Sequence, residues 1–136
     1  MDCIFCQLGH TNRRTLARKD YAPVARVNAE IARWLEAGGA ADCITLSGSG
    51  EPTLHSHFGK VIDFIHSRTT IPVLLLTNSS LLRLAGVRHA AARADIVKVS
   101  LSAWDQRSFE RVNRPCGNIS FKRFVDGIKA FRSEFK

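Results

Sequence analysis

The sequence has no apolar run that approaches the roughly 18 to 20 residues of a membrane-spanning helix. Its first residues lack the charged and apolar regions of a secretory signal peptide. Repeats, low-complexity tracts and Gly/Ser linkers are absent as well, so nothing in the sequence marks a domain boundary. With 136 residues, of which 45% are hydrophobic, the chain is long enough for a core of its own. We therefore expect one cytoplasmic domain over residues 1–136, with no membrane segment.

Acidic residues are scarce, since 12 Asp and Glu stand against 20 Lys and Arg, and the formal net charge is +8. The basic excess is spread over two regions, residues 13–19 and residues 107–136. Such an excess suits an anionic partner such as RNA, but scattered Lys and Arg also occur on ordinary solvated surfaces. Charge alone leaves both interpretations open.

Cysteine is limited to four residues, and in a chain without an export signal we do not expect a disulfide framework. Cys43 lies in an apolar strand pattern and Cys116 in a turn-like Pro-Cys-Gly-Asn stretch, which is typical of core or incidental cysteines. Cys3 and Cys6 form a Cys-x2-Cys pair, with Phe5 directly before the second cysteine. Alone, the pair fits half of a zinc site, a redox pair or part of an iron–sulfur loop. No Cys/His pair elsewhere in the sequence has the spacing that would complete a zinc site.

Apolar periodicity predicts helices that alternate with short buried strands. Continuous apolar strands between helices indicate a parallel sheet with covered faces and right-handed crossovers. The sequence therefore predicts an α/β fold built from successive βα units, with too few strands to close a barrel. The predicted helices cover residues 23–37, 57–67, 80–94, 105–112 and 120–135, and the predicted strands cover residues 42–47, 73–76 and 96–101.

Small polar and glycine residues follow each predicted strand, at residues 47–53, 77–79 and 100–102. Ligands of parallel α/β sheets collect at the carboxyl ends of the strands, because the loops converge there. Gly48 and Gly50 would let the backbone approach a ligand closely, and Glu51 would present a carboxylate suited to an ammonium group. A tight turn with a solvated glutamate explains the same residues without a ligand.

Four segments in this order resemble the radical S-adenosylmethionine (SAM) superfamily. Within that superfamily they look closest to the iron–sulfur oxidoreductases related to the wyosine-forming tRNA-modifying enzymes. The resemblance covers nearly the whole chain, and it implies a fragment of a (βα)6 partial TIM barrel. The segments are residues 1–9, 46–54, 76–78 and the stretch from 97–101 to 113–115.

The signature of that superfamily is Cys-x3-Cys-x2-Cys with an aromatic residue before the last cysteine. Cys3 and Cys6 match its second and third positions as cluster ligands, and Phe5 matches the aromatic residue that would pack near adenine. The first cysteine of the signature falls upstream of Met1. We therefore expect a partial core domain that lacks the first strand and the last strands, with weak or no activity alone.

The resemblance implies that three thiolates hold a [4Fe–4S] cluster and that its open iron binds the amino and carboxylate groups of SAM. One electron from the reduced cluster then cleaves SAM to methionine and a 5′-deoxyadenosyl radical, which abstracts hydrogen from a substrate. An electron donor such as flavodoxin or ferredoxin is implied as a partner. RNA, and tRNA in particular, is the first expectation for the substrate.

Several positions carry roles that the resemblance implies. The turn from Gly48 through Gly50 and Glu51 to Pro52 matches the glycine-rich motif that holds the methionine amino group. At the later strand ends, the positions that match contacts to ribose or the methionyl carboxylate are Thr77, Asn78 and Ser100. The alternative to an enzyme is a basic nucleic-acid-binding α/β module whose Cys-x2-Cys pair is structural or binds zinc.

Overall fold

The computed structural model describes residues 1–135, in which three short strands form one parallel sheet in the order β1-β2-β3. The strands are β1 (Ile44–Leu46), β2 (Val73–Thr77) and β3 (Ile96–Val99). The α-helices of the same residues are α1 (Val24–Glu36), α2 (Phe58–Arg68), α3 (Ala85–Ala91), α4 (Gln106–Asn113) and α5 (Phe121–Glu134), and a 3-10 turn covers Pro52–Leu54. The predicted α/β fold of successive βα units is confirmed.

The central strand β2 is paired on both sides. Ile44 lies opposite Val73 in the β1–β2 pair, and Thr77 lies opposite Val99 in the β2–β3 pair. Helix α2 leads from β1 to β2 and helix α3 leads from β2 to β3, as parallel neighbours require. All three carboxyl ends therefore meet at one edge of the sheet.

The main core lies between β2 and the helices that cover the sheet. Val73 and Leu75 of β2 are fully buried, and Ile62 and Ile65 of α2 also have no exposed surface. Full burial of one such side chain contributes about 1.5 to 3 kcal/mol relative to leaving it in water. Helix α1 adds an apolar stripe without a fully buried residue.

Helix α5 joins this core to a smaller one beneath α4. Gly127 allows α5 to approach the turn after β2, because a Cβ at that position would lie 2.7 Å from the backbone nitrogen of Arg83. On the other side of α5, the ring centroids of Phe109 and Phe124 are 4.8 Å apart. Helix α4 is thereby packed against α5.

The boundaries of some elements differ from the prediction. The first strand covers residues 44–46 rather than 42–47, and β3 ends at Val99 rather than at residue 101. Residues 80–84 form tight turns ahead of α3 instead of continuing it as a helix. These turns bury the adjacent Leu81 and Leu82 together, which shortens the predicted helix.

Large apolar side chains remain exposed on the β3 side of the sheet. The exposed fraction is 51% for Ile96, 54% for Leu101 and 74% for Trp104. None of the helices within residues 1–135 has the combination of length and apolar character needed to cross a bilayer. Ile96 lies on β3, whereas Leu101 and Trp104 lie in the loop between β3 and α4.

Candidate functional site

The Glu51 carboxylate lies at the carboxyl edge of the sheet, where groups from two strand ends hold it. Its Oε1 accepts hydrogen bonds from the Thr53 amide at 3.2 Å, from the Thr53 hydroxyl at 2.6 Å and from the Thr77 hydroxyl at 2.6 Å. Its Oε2 accepts one from the Asn78 amide at 2.6 Å. The carboxylate thus ties the loop after β1 to the end of β2.

The local sequence explains why the loop after β1 adopts this shape. Pro52 stands at the start of the 3-10 turn, where its fixed φ is favourable, and Glu51 caps the turn through the Thr53 amide. Gly48 and Gly50 are exposed, and a Cβ at either position would meet no atom within 4 Å. Packing inside the protein does not require these two glycines, so the space beside them is open to a ligand.

The network continues from β2 to the end of β3 through Ser79. The Ser79 amide donates to the Thr77 hydroxyl at 3.0 Å, and the Ser79 hydroxyl donates to the carbonyl of Ser100 at 3.1 Å. Ser79 is 1% exposed and has a left-handed φ of 67°, a region that is strained for residues other than glycine. This strained serine therefore links the end of β2 to the end of β3, and together with Glu51 it completes a network across the three strand ends.

Hydrogen-bonding capacity remains at this edge. The Oε2 atom of Glu51 has a single partner, although a carboxylate oxygen can accept two hydrogen bonds. The Asn78 Oδ1 atom accepts from the Ser80 amide at 3.0 Å, and within residues 1–135 its Nδ2 atom has no protein acceptor. The edge can thus still accept from an ammonium group and donate to a carboxylate or a hydroxyl.

Cys3 and Cys6 lie on one tight turn at the end of α4. The Cys6 amide donates to the Cys3 carbonyl at 3.1 Å, and both cysteines are half-buried. The two amides that flank Cys3 donate to the carbonyls of Val112 at 2.9 Å and Asn113 at 3.1 Å. The last carbonyls of a helix have no partner inside it, so the cysteine turn satisfies two groups that α4 leaves open.

Asp2 anchors the same turn from its other side. Its side chain is 5% exposed and accepts from the Thr11 amide at 2.8 Å, with His10 at 2.9 Å and Arg114 at 3.6 Å. The Thr11 amide, followed by the charges of His10 and Arg114, holds the pKa of Asp2 below its usual range. The carboxylate is therefore ionised at neutral pH and keeps residues 2–11 on the end of α4.

The cysteine turn fits part of an iron–sulfur site. A [4Fe–4S] cluster with one open iron needs three thiolates, and this turn supplies two. Residues 1–135 contain no group of three or more His, Cys, Asp and Glu side chains that could share a metal ion. Cys43 lies ahead of β1, at the amino edge of the sheet, and Cys116 lies in the loop after α4. The thiol chemistry suits the cluster, and the third thiolate is not among the described residues.

The two halves of the candidate site are separate units of hydrogen bonding. Among residues 1–135, no hydrogen bond connects the cysteine turn with the Glu51 network. Phe5 is 57% exposed beside the thiols, so its ring is free to stack on a planar group. The sequence prediction gave no individual role to three polar residues that support these units, Thr53, Ser79 and Asn113. Thr53 and Ser79 lie in the polar stretches predicted at the strand ends, and Asn113 lies in the last of the four segments that carry the resemblance, but no local pattern indicated their hydrogen-bond partners.

Ligands of parallel α/β domains bind outside the carboxyl ends of the strands, and in this chain that edge carries the polar Glu51 network. The fold and the site are therefore those of an α/β ligand-binding domain. The family model described as the Radical SAM superfamily matches residues 1–136, and the chain belongs to that superfamily. Membership implies the [4Fe–4S] cluster and SAM as the general cofactors of such enzymes. It favours this interpretation over the basic nucleic-acid-binding module.

The relatives include UPF0026 proteins and a protein named GTPase Obg. Identity is 37% over 134 residues with a UPF0026 protein of Synechocystis sp., covering 98% of this chain and 50% of the relative. It is 36% over 135 residues with the GTPase Obg of Brachyspira hyodysenteriae, covering 99% of this chain and 20% of that protein. A UPF0026 protein of Methanocaldococcus jannaschii is 27% identical over 146 residues, covering 99% and 42%. The chain spans half or less of the length of these relatives, and no solved structure matches it.

Proposed function

We propose that this chain provides the cluster-binding and SAM-binding part of a radical SAM oxidoreductase. The observation that carries the proposal is the Glu51 network, which presents unused acceptor and donor groups at the carboxyl edge of the sheet. The family match over the same residues supports it. When bound and reduced, the cluster would supply the electron that cleaves SAM to a 5′-deoxyadenosyl radical.

The cysteine turn would hold the cluster through the thiolates of Cys3 and Cys6. Phe5, which stands between them and is largely exposed, would cover the adenine of SAM. Because the chain supplies two thiolates at the spacing of the family signature, we expect it to hold the cluster weakly. Turnover by the chain alone would be correspondingly low.

The carboxyl edge of the sheet would bind the methionine part of SAM. Glu51 would accept the ammonium group on Oε2, while Gly48 and Gly50 leave room for it beside the loop. Pro52 would keep this loop rigid by fixing the start of the 3-10 turn. The side-chain amide of Asn78, together with Thr77 at the end of β2 and Ser100 after β3, would face the ribose or the carboxylate of SAM.

The test compares two N-terminal extensions that differ in one side chain. Cys-Asn placed ahead of Met1 puts a thiol four residues before Cys3, and Ala-Asn is the matched control. Both proteins are reconstituted anaerobically with iron and sulfide, and a Cys6→Ala variant of the first serves as a second control. We expect about four irons per chain and SAM-derived 5′-deoxyadenosine only from the intact Cys-Asn form.

Equal iron content in the Cys-Asn form and both controls would contradict the assignment of the cysteines. Equal SAM cleavage by the cluster-loaded Cys-Asn form and by its Glu51→Gln variant would contradict the assignment of the strand edge. These two results separate the two halves of the proposal.

The partners and the group within the superfamily belong to the same proposal. We infer a reductant of the flavodoxin or ferredoxin type, a cytoplasmic location and an RNA substrate, with the wyosine-related enzymes as the nearest group. The arginines on the exposed face of α4 support an anionic substrate.

A further inference from the structure

The end of helix α4 contacts the sulfur of one proposed cluster ligand. The Nδ2 atom of Asn113 donates to Cys3 Sγ at 3.4 Å, and the Cys3 thiol donates to the backbone carbonyl of Asn113 at 3.8 Å. The two residues are 110 positions apart in the sequence. The surroundings of this thiol are therefore set by the fold and not by the cysteine turn itself.

Burying the polar side chain of Asn113 at this place costs folding free energy. It is 3% exposed, and within the described residues its Oδ1 atom has no hydrogen-bond partner. With the opposite orientation of the amide, Oδ1 would face the sulfur and the N–H donor to sulfur would be lost. An apolar side chain of similar size would be buried here with no unpaired atom. What the amide contributes is its N–H donor to sulfur.

The backbone holds Cys3 at the distance that this bond needs. The amides of Asp2 and Ile4, on either side of Cys3, donate to the end of α4. Arg114 has a left-handed φ of 42° and turns the chain away after Asn113, so the last carbonyls of α4 stay accessible. Cys3 is thus held by the backbone bonds of its two neighbours and by two hydrogen bonds of its own sulfur. Within residues 1–135, no N–H group donates to Cys6 Sγ.

We propose that Asn113 is the positioning residue for Cys3, which directs the thiolate to the metal through an N–H···S hydrogen bond. The inference rests on the proposed role of Cys3 as a cluster ligand. Partners of metal ligands orient them, and hydrogen bonds to ligating sulfurs help to set the reduction potential of a cluster. The two cysteines are then unequal ligands, since only Cys3 is oriented in this way.

The hydrogen bond is tested first, without metal, on the full chain. Nitrogen-15 NMR follows the side-chain amide of Asn113 in Cys3→Ala and in the matched variant Cys6→Ala. We expect a clear shift of this resonance in Cys3→Ala and its wild-type position in Cys6→Ala. A resonance that stays unmoved in both variants would overturn the inference.

The effect on metal binding is tested with Co²⁺ alone as the probe. Asn113→Ala and Asn113→Leu are compared with Asn118→Ala and Asn118→Leu, which make the same changes at an exposed loop position. We expect Co²⁺ affinity to fall by about 10- to 100-fold at position 113 and to stay unchanged at position 118. The thiolate-to-cobalt absorption should also move to lower energy in Asn113→Ala, which a loss of packing alone would not cause.

The outcomes distinguish this inference from the proposed function. If wild-type protein shows thiolate-to-cobalt absorption that the position-113 variants leave unchanged, Asn113 has no positioning role and the ligand role of Cys3 stands. If wild-type protein shows no such absorption while the NMR shift is present, the ligand role fails and the positioning role fails with it. Circular dichroism checks the fold of each variant, and the cysteine variants keep the hydrogen bond testable if the position-113 variants do not fold.

Discussion

At the residue scale, Thr77 connects the two parts of the strand-edge network. Its hydroxyl donates to Glu51 and accepts from the Ser79 amide, and the residue is 3% exposed. Thr77→Val keeps the shape of the side chain and removes both bonds. We expect the free energy of unfolding to fall by about 1 to 3 kcal/mol in urea titrations, because a buried amide loses its acceptor. Thr70→Val, at an exposed position, should change it by less than about 0.5 kcal/mol, and equal losses would contradict the role of Thr77.

The glycines of the loop after β1 should behave differently from a glycine of the core. The methyl group of an alanine at Gly48 or Gly50 would project into open space. We therefore expect the free energy of unfolding to stay within about 0.5 kcal/mol of the wild-type value. Gly127→Ala places its Cβ against the backbone of Arg83 and should cost about 1 to 3 kcal/mol. In the Cys-Asn form, the loop variants should nevertheless lower SAM cleavage. Normal cleavage in both would show that the ligand does not approach this loop.

The residues of the strand edge could be predicted from the sequence, but their partners could not. Gly48, Glu51 and Thr77 each follow a short apolar run, and that local pattern places them at strand ends. Whether the Glu51 carboxylate faces solvent or a neighbouring strand depends on strand register, which short sequence patterns do not specify. Ser79 depends on the same register, since its acceptor belongs to β3.

At the scale of elements, one carboxylate joins the amino ends of β2 and β3. Asp95, just before β3, accepts from the Val73 amide of β2 at 2.7 Å and pairs with His66 of α2 at 2.9 Å. The Val73 amide is the main cause, followed by His66, of a pKa of Asp95 below its usual range. Three elements therefore depend on the ionised form of this side chain.

The hydrogen bonds of Asp95 should make the stability of the fold depend on pH. Because the folded pKa of Asp95 is lowered, its contribution is present above the unfolded value near pH 4 and is lost as pH falls through the folded value. The side chain is 47% exposed, so we expect less than about 1 kcal/mol between wild type and Asp95→Asn at pH 7. Urea titrations at pH 7 and pH 3 should show this gap shrinking at acid pH. Asp126→Asn, in an exposed pair with Lys122, serves as the control.

We expect the exposed face of α4 to contact an anionic substrate. Arg107 and Arg111 lie four residues apart on one helix face, and the 74% exposed Trp104 precedes them. The double variant Arg107→Glu/Arg111→Glu should weaken binding of a single-stranded RNA oligonucleotide in fluorescence anisotropy. The slope of log affinity against log salt should fall by about one to two. Arg26→Glu/Arg33→Glu makes the same charge change on α1, and equal losses in both would contradict a specific face.

At the scale of the whole molecule, the small sheet leaves apolar surface open. Ile96 is 51% exposed on β3, which within residues 1–135 is paired only with β2. Unprotected strands of this kind associate with other chains, so we expect the apparent mass in light scattering to rise with concentration. Ile96→Lys should suppress this rise, whereas Thr45→Lys on the exposed side of β1 should do so less. A constant monomer mass for wild type would contradict the prediction.

The fold could be predicted at this scale because its signals are local. Apolar runs between amphipathic helices specify parallel βα units wherever they occur along a chain. The docking of the cysteine turn on α4 could not be predicted, because it depends on where α5 places that helix. Phe109 and Phe124 decide this placement, and their spacing in the sequence shows no connection with Cys3.

The contact between Cys3 and Asn113 also bears on the order of folding. It closes a loop of nearly the whole chain, and contacts between such distant residues form after local ones. Strands and helices between them can assemble first, each with its nearest neighbour. The thiols therefore reach their final surroundings only after α4 has formed, and until then they are open to oxidants. We expect the thiols to need metal delivery, or protection from oxygen, during that interval. This need should decrease once the cysteine turn has bound to the end of α4.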